Sequence, residues 1–137
     1  MDAYSSNVGL GEISPQVSLP PFNNSLIVGN YFFGSDEPAA STVPLFSGTA
    51  YFDGGNSNQG KGNVSGTLDE NTTSGFLPNQ PVSGTYSVSP SANNGRGSIL
   101  LTTPTSSYAL WLISGSHFVA IDVDPSNPQP TVFEFEQ

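Results

Sequence analysis

The sequence predicts an all-β fold, an antiparallel up-and-down meander of eight strands closed into a calycin-like barrel. Eight segments of strand length are rich in Val, Ile, Phe and Tyr or alternate in polarity, and each is bounded by Gly, Asn, Asp, Ser or Pro. No stretch repeats its apolar residues with the 3.6-residue period of a helix. Short sequential connections make an up-and-down order the simplest topology. An open sheet of eight strands would leave two edges exposed, and closure removes both. A two-sheet β-sandwich is the alternative arrangement of the same strands.

Residues 1–25 read as an extended N-terminal linker or arm, with Pro15, Pro20, Pro21, Gly9 and Gly11 among irregularly spaced apolar residues. Within it, residues 17–22 could lie across a barrel end or on a neighbour's sheet edge. Residues 26–137 read as a single β-barrel domain. Its first strand, 26–33, is apolar on both parities, as suits burial on two sides or a seam position. The second, 44–53, alternates Phe46, Gly48, Ala50 and Phe52 against Leu45, Ser47, Thr49 and Tyr51. After a polar loop at 54–62, the third strand (63–69) has only Val64 and Leu68 on its apolar side and reads as the most exposed. Residues 70–79 read as a ten-residue loop.

The fourth and fifth strands, 82–88 and 96–103, form the central hairpin, with Val82, Gly84, Tyr86 and Val88 on one face. The sixth, 107–114, is apolar on both parities and holds the only tryptophan, which marks it as the densest part of the core. Gly115-Ser116 predicts a two-residue type II′ turn, which places the seventh strand at 117–122. Residues 124–130 hold three prolines and cannot pair as a strand. The eighth strand, 131–136, sets Phe133 and Phe135 against Val132, Glu134 and Glu136.

Charge narrows the function. Lys61 and Arg96 are the only fixed cations against eleven carboxylates, for a net charge of −9. Nucleic acid is excluded, because phosphate binding needs several Lys or Arg, and anionic membrane surfaces are disfavoured likewise. No apolar run approaches the ~20 residues of a membrane span, so no membrane insertion is expected. Charged residues make up 9% of the chain where about 25% is usual. Surface polarity therefore comes from Ser, Thr, Asn, Gln and Gly, a bias that points to exported bacterial surface material. The expected setting is secreted or cell-surface, with the export signal outside these residues. The absence of cysteine removes disulfides and thiolate chemistry together.

No catalytic set emerges, and no cofactor is expected. His117 is the sole histidine, so a zinc site lacks its second imidazole, and Asp122 lies on the opposite face of the same strand. Arg96, between two glycines, suits a structural pairing that pins its turn. Asp53, Asp122 and Asp124 are weak calcium candidates, oxygen-rich but without the spacing of a twelve-residue calcium loop. The carboxylate pairs Asp122/Asp124 and Glu134/Glu136 could serve glycoside hydrolysis only if held at about 5 to 9 Å, and read more simply as solubilising charge. Three glycosylation sequons, at Asn23, Asn63 and Asn71, are of a kind common by chance in a Ser/Thr-rich chain. Phe46, Tyr51, Tyr86, Tyr108, Trp111 and Phe118 are the candidate lining of a barrel cavity for a small apolar or carbohydrate ligand.

A set of short motifs adds a resemblance. In order, Gly29-Asn-Tyr-Phe-Phe, Phe46-Ser-Gly-Thr-Ala-Tyr-Phe-Asp-Gly54, Gly62-Asn-Val-Ser-Gly66, Gly84-Thr-Tyr, Gly95-Arg-Gly-Ser-Ile-Leu and a closing Phe-Glu-Phe-Glu-Gln137 resemble an uncharacterised all-β repeat domain of large exported soil-bacterial proteins, often beside immunoglobulin-like repeats. The resemblance covers 26–137 and rests on turn glycines and core aromatics, so it implies a fold and no chemistry. The chain departs from the pattern at 56–61 and 125–130, so loop-borne functions do not carry over. The reading that follows is a non-enzymatic structural or adhesive module of an exported surface protein or filament, partnered by other domains or neighbouring subunits. The alternative is a lipocalin- or avidin-like small-ligand carrier, favoured if the inward side chains do not fill the barrel.

Overall fold

The computed structural model describes residues 15–16, 21–35, 44–55, 60–89, 94–125 and 131–137. Residues 17–20 of the expected arm, 56–59 of the insertion and 126–130 of the proline-rich loop lie outside them. Eight strands form: β1 (Val28–Ser35), β2 (Leu45–Asp53), β3 (Gly62–Thr72), β4 (Gly75–Val88), β5 (Arg96–Thr103), β6 (Thr105–Ser114), β7 (His117–Asp122) and β8 (Val132–Glu136). Each pairs antiparallel with the next, and β1 pairs with β8, which closes the barrel. The sandwich is thereby ruled out, because a sandwich would leave that seam unpaired.

Alternation sets the inside. Tyr31 and Phe33 of β1, Ala50 and Phe52 of β2, Val64 and Leu68 of β3, Val82, Tyr86 and Val88 of β4, Ile99 of β5, Leu110 and Leu112 of β6, Phe118 and Ala120 of β7, and Phe133 and Phe135 of β8 are all buried in one core. Each lies two or four residues from the next on its strand, as a pleated wall requires. The outward row of β3 is Asn63, Ser65, Thr67 and Asp69. Several in-strand glycines admit close approach. A Cβ on Gly62 would run into the Tyr86 ring, and one on Gly66 into the Thr49 carbonyl of β2. The glycines at these two motif positions therefore make room inside strands and do not make turns.

The structure corrects the sequence reading in several places. Residues 70–79 are not a loop: β3 and β4 extend through them as a hairpin that turns at Thr73-Ser74. Thr72 Oγ1 accepts from the Ser74 amide at 3.0 Å and donates to the Gly75 carbonyl at 3.1 Å. A bulge absorbs Pro78, with Asn79 at φ 55° and its amide donating to Asp69 Oδ1 at 2.8 Å. The exposed part is this hairpin's tip, whereas β3 itself buries Val64 and Leu68. β1 is not buried on both sides, since Phe32 is 73% exposed, but it does occupy the seam. The Gly115-Ser116 turn forms with Gly115 outside positive φ, so it is not type II′, and a bulge between Leu112 and Ser114 supplies the extra twist.

The expected boundary at residue 26 falls too late. Phe22 is buried in the core, and a 3₁₀ turn at Asn24–Leu26 lays the chain across one barrel end. There the Asn24 side-chain carbonyl accepts from the Val88 amide at 2.6 Å. Gln16 Nε2 donates to the Leu112 carbonyl at 2.6 Å and the Asn94 carbonyl at 3.0 Å. Part of the expected linker therefore belongs to the barrel. Among the described residues, no helix is long and apolar enough to cross a membrane.

Candidate functional site: an apolar mouth at one barrel end

The two ends of the barrel differ. Toward the 3₁₀ turn, five aromatics fill the interior. Phe52 meets Tyr31, Tyr86, Phe118 and Phe135 edge-on at centroid distances of 5.0–5.9 Å, and Phe118 stacks on Phe135 at 4.4 Å. Two phenols seal this end. The Tyr86 hydroxyl donates to the Ile27 carbonyl at 2.7 Å, with the Asn24 carbonyl at 3.3 Å, and the Tyr31 hydroxyl donates to the Gly115 carbonyl. Burial pushes the pKa of both phenols up, so they remain donors throughout the neutral range.

The other end is not filled. A cavity of about 130 Å³ opens there, floored by Phe52 and Phe135 and walled by Phe33, Phe46, Phe133, Tyr108, Leu101 and Pro104, with Ala50, Val64, Leu68, Val82 and Ile99 completing its sides. Small residues create the space: Ala50 and Val82 stand where the closed half has Phe52 and Tyr86. The Phe133 ring joins the walls together, lying 5.9, 5.7 and 5.5 Å from Phe33, Phe46 and Tyr108. Among the described residues, the only polar side chains in the lining are Ser106 and Tyr108. Burial raises the Tyr108 phenol, a hydrogen bond with Ser106 draws it partly back, and the charge of Asp122 adds to the rise.

Of the six expected lining residues, Phe46 and Tyr108 line the cavity. Tyr86 and Phe118 point inward but belong to the packed half. Tyr51 and Trp111 are corrections: both face outward, 47% and 37% exposed. Their strands carry apolar residues on both parities, and the inner face goes to Ala50 and Phe52 on β2 and to Leu110 and Leu112 on β6. Trp111 instead faces Arg96 across the β5–β6 ladder, with the guanidinium 5.8 Å from its ring centroid, so among the described residues Arg96 pairs with an aromatic. Phe33, Phe133 and Phe135 are lining residues the sequence reading passed over, although their shared parity on β1 and β8 marks them as inward.

The calcium candidates do not converge. Asp53 lies at the filled end. Its Oδ1 accepts from the Gly55 and Asn63 amides at 2.9 Å each and its Oδ2 from Asn63 Nδ2 at 2.7 Å. Slight desolvation raises its pKa, but these hydrogen bonds outweigh it and hold the carboxyl below its usual value. Asp122 and Asp124 sit at the mouth, where Asp122 Oδ1 accepts from the Asp124 amide at 2.8 Å. β7–β8 pairing gives His117 the partner its own strand lacks: Nε2 lies 2.8 Å from Glu134 Oε1. With Glu136 these two form the one cluster of three metal-ligating groups among the described residues, on the barrel's outer face. Such a half-exposed contact contributes little to stability.

Comparison of the chain with protein-family models, with curated proteins and with solved structures finds no match.

Proposed function

We propose that this barrel is a non-enzymatic binding module that seats a small apolar group in its mouth. One observation carries the reading: the interior is close-packed at one end and open, apolar and walled by aromatics at the other. A cavity of about 130 Å³ is comparable to the ~150 Å³ apolar cavity that takes up benzene in an unrelated protein. It falls below the ~300–1,000 Å³ of pockets for drug-sized ligands. The fit is thus one aromatic ring or a short alkyl end, with the rest of a longer molecule outside. A sugar fits poorly, because its hydroxyls would be buried against walls with only Ser106 and Tyr108 to meet them. The polar outward row of β3 and the apolar interior are the reverse of a lipid-facing barrel, which supports a barrel outside the bilayer.

Burying about 200 Å² of a single ring at ~25 cal/mol per Å² yields about 5 kcal/mol, so the Kd is no tighter than about 0.2 mM and, after association costs, about a millimolar or weaker. Toluene at several times that Kd stabilises the fold by about 1 kcal/mol, which raises Tm by roughly 3 °C. Val82→Phe, which fills the mouth, abolishes the shift while the protein still melts cooperatively. An equal toluene shift in wild type and Val82→Phe would refute the reading.

A second reading, a structural or adhesive module of an exported bacterial surface protein, is favoured by a different observation. Val28 and Phe32 flank Tyr51 diagonally on the outer face of the β1–β2 ladder, and all three are exposed. Such a patch suits packing against a neighbouring domain or subunit. The two readings are compatible, since patch and mouth occupy different surfaces.

A further inference from the structure

We propose that the mouth is selective for cations: its ligand is a small apolar ring or short alkyl group bearing an ammonium, and carboxylates are disfavoured. This rests on the binding reading above and assigns the chemistry of the ligand's exposed end. Among the described residues, the charge at this end is of one sign. Asp122 lies on the inner face of β7, directly across the ladder from Tyr108, and its carboxylate is close enough to act on that phenol. Glu70 continues the inner row of β3 beyond Leu68, which lines the cavity. Asp124, two residues past the end of β7, and Asp69, on the outer row of β3, lie at the same end of the barrel.

Both fixed cations are at the far end. Lys61 adjoins Gly62, whose ladder partner is the sealing Tyr86, and Arg96 begins β5, whose other end, Thr103, leads to Pro104 of the cavity wall. Seven steps of β5 separate Arg96 from Thr103, roughly 23 Å at ~3.3 Å per residue, several times the ~4 Å reach of an ion pair. Neither cation is close enough to pair with a rim carboxylate. A ring held against Phe133 with its polar substituent outward presents that substituent to this rim, where an ammonium is attracted, an alcohol is indifferent and a carboxylate is repelled.

Benzylamine, benzyl alcohol and benzoate share one ring and differ in charge. Each is titrated into the whole protein at neutral pH and about 10 mM salt, where screening is weakest, and followed by the ring resonances of Phe33 and Tyr108. Benzylamine is expected to bind about three- to tenfold tighter than benzyl alcohol, and benzoate weaker than the alcohol by a similar factor. At about 1 M salt the three should converge to within about twofold. Asp122→Asn, which retains an oxygen for the Asp124 amide, should remove at least half of the amine preference on a logarithmic scale, taken as the ratio of benzylamine to benzyl alcohol affinity in the same variant. If benzyl alcohol binds and benzylamine binds no tighter, the cation preference is wrong and the apolar site stands. If none of the three moves the Phe33 and Tyr108 signals, both fall. A full amine preference in Asp122→Asn would overturn the part given to Asp122.

Discussion

A binding mouth at one end requires the other end to stay shut, and Tyr86→Phe tests what shuts it. The substitution keeps the ring against Phe52, 5.0 Å away, so no cavity forms. It removes the hydroxyl that donates to the Ile27 carbonyl at 2.7 Å and approaches the Asn24 carbonyl at 3.3 Å. Ile27 and Tyr86 are 0% and 1% exposed, so water cannot take the hydroxyl's place. Leaving a buried acceptor without its donor costs about 1–3 kcal/mol. That is an appreciable fraction of the roughly 7–20 kcal/mol expected for a domain of 137 residues. With a urea m-value of about 2 kcal/mol/M, the unfolding midpoint should fall by roughly 0.5–1.5 M. Urea titration followed by far-UV circular dichroism reads this directly, with the exposed Tyr51→Phe as a control expected within about ±0.5 kcal/mol. Equal midpoints in Tyr86→Phe and the control would refute the assignment of the seal to this phenol.

Two further predictions draw on the same core. Tyr31 and Tyr86 have pKa values raised by burial, so the folded state holds both protons after the unfolded chain, with phenols near pKa ~10, has begun to release them. Their contribution is complete below about pH 10 and is lost as pH rises toward the folded pKa values, at about 1.4 kcal/mol per pH unit for each phenol. Tyr108, raised as well, adds to the same loss, so urea midpoints at about pH 10, 10.5 and 11 should fall along a slope that Tyr86→Phe lowers by roughly a third, and a flat profile would contradict the burial of these hydroxyls. Phe118→Ala, in the packed half, should cost about 3–5 kcal/mol, whereas Phe46→Ala, on the half-buried mouth wall, should cost only about 1 kcal/mol. The same denaturation assay separates them, and equal costs would mean that the two halves are packed alike.

The parts of the fold legible in the sequence were those with an unambiguous parity or a decisive turn. β5 and β7 occur at the expected residues because Gly95-Arg96-Gly97 and Gly115-Ser116 bound them, and Phe133 and Phe135 of β8 have no apolar rival on the polar side except Val132. Where both parities are apolar, as at Tyr51 or Trp111, only the neighbouring strands decide which row goes inward. The extended β3–β4 hairpin was hidden because Pro78 and the polar run before it suggest a loop. The bulge at Asn79 that accommodates the proline is a property of the pair of strands and not of either alone. The site was half legible for the same reason. Inward aromatics could be counted, but which end of the barrel they fill depends on register and on the 3₁₀ turn with Phe22, both set by long-range contacts. The His117–Glu134 pair likewise arises only once β7 lies beside β8.

The central claim is that one end of the barrel is packed and the other receives an apolar ring, and chemical-shift mapping with benzyl alcohol tests it most directly. Methyl and aromatic resonances are assigned, and the ligand is added to millimolar concentration. Saturable shifts are predicted at Phe33, Leu101, Tyr108 and Phe133, with Tyr31, Tyr86 and Phe118 unmoved and the outer Phe32 and Trp111 silent. Shifts centred on the sealed end or the outer face, or none that saturate at the mouth, would contradict the account.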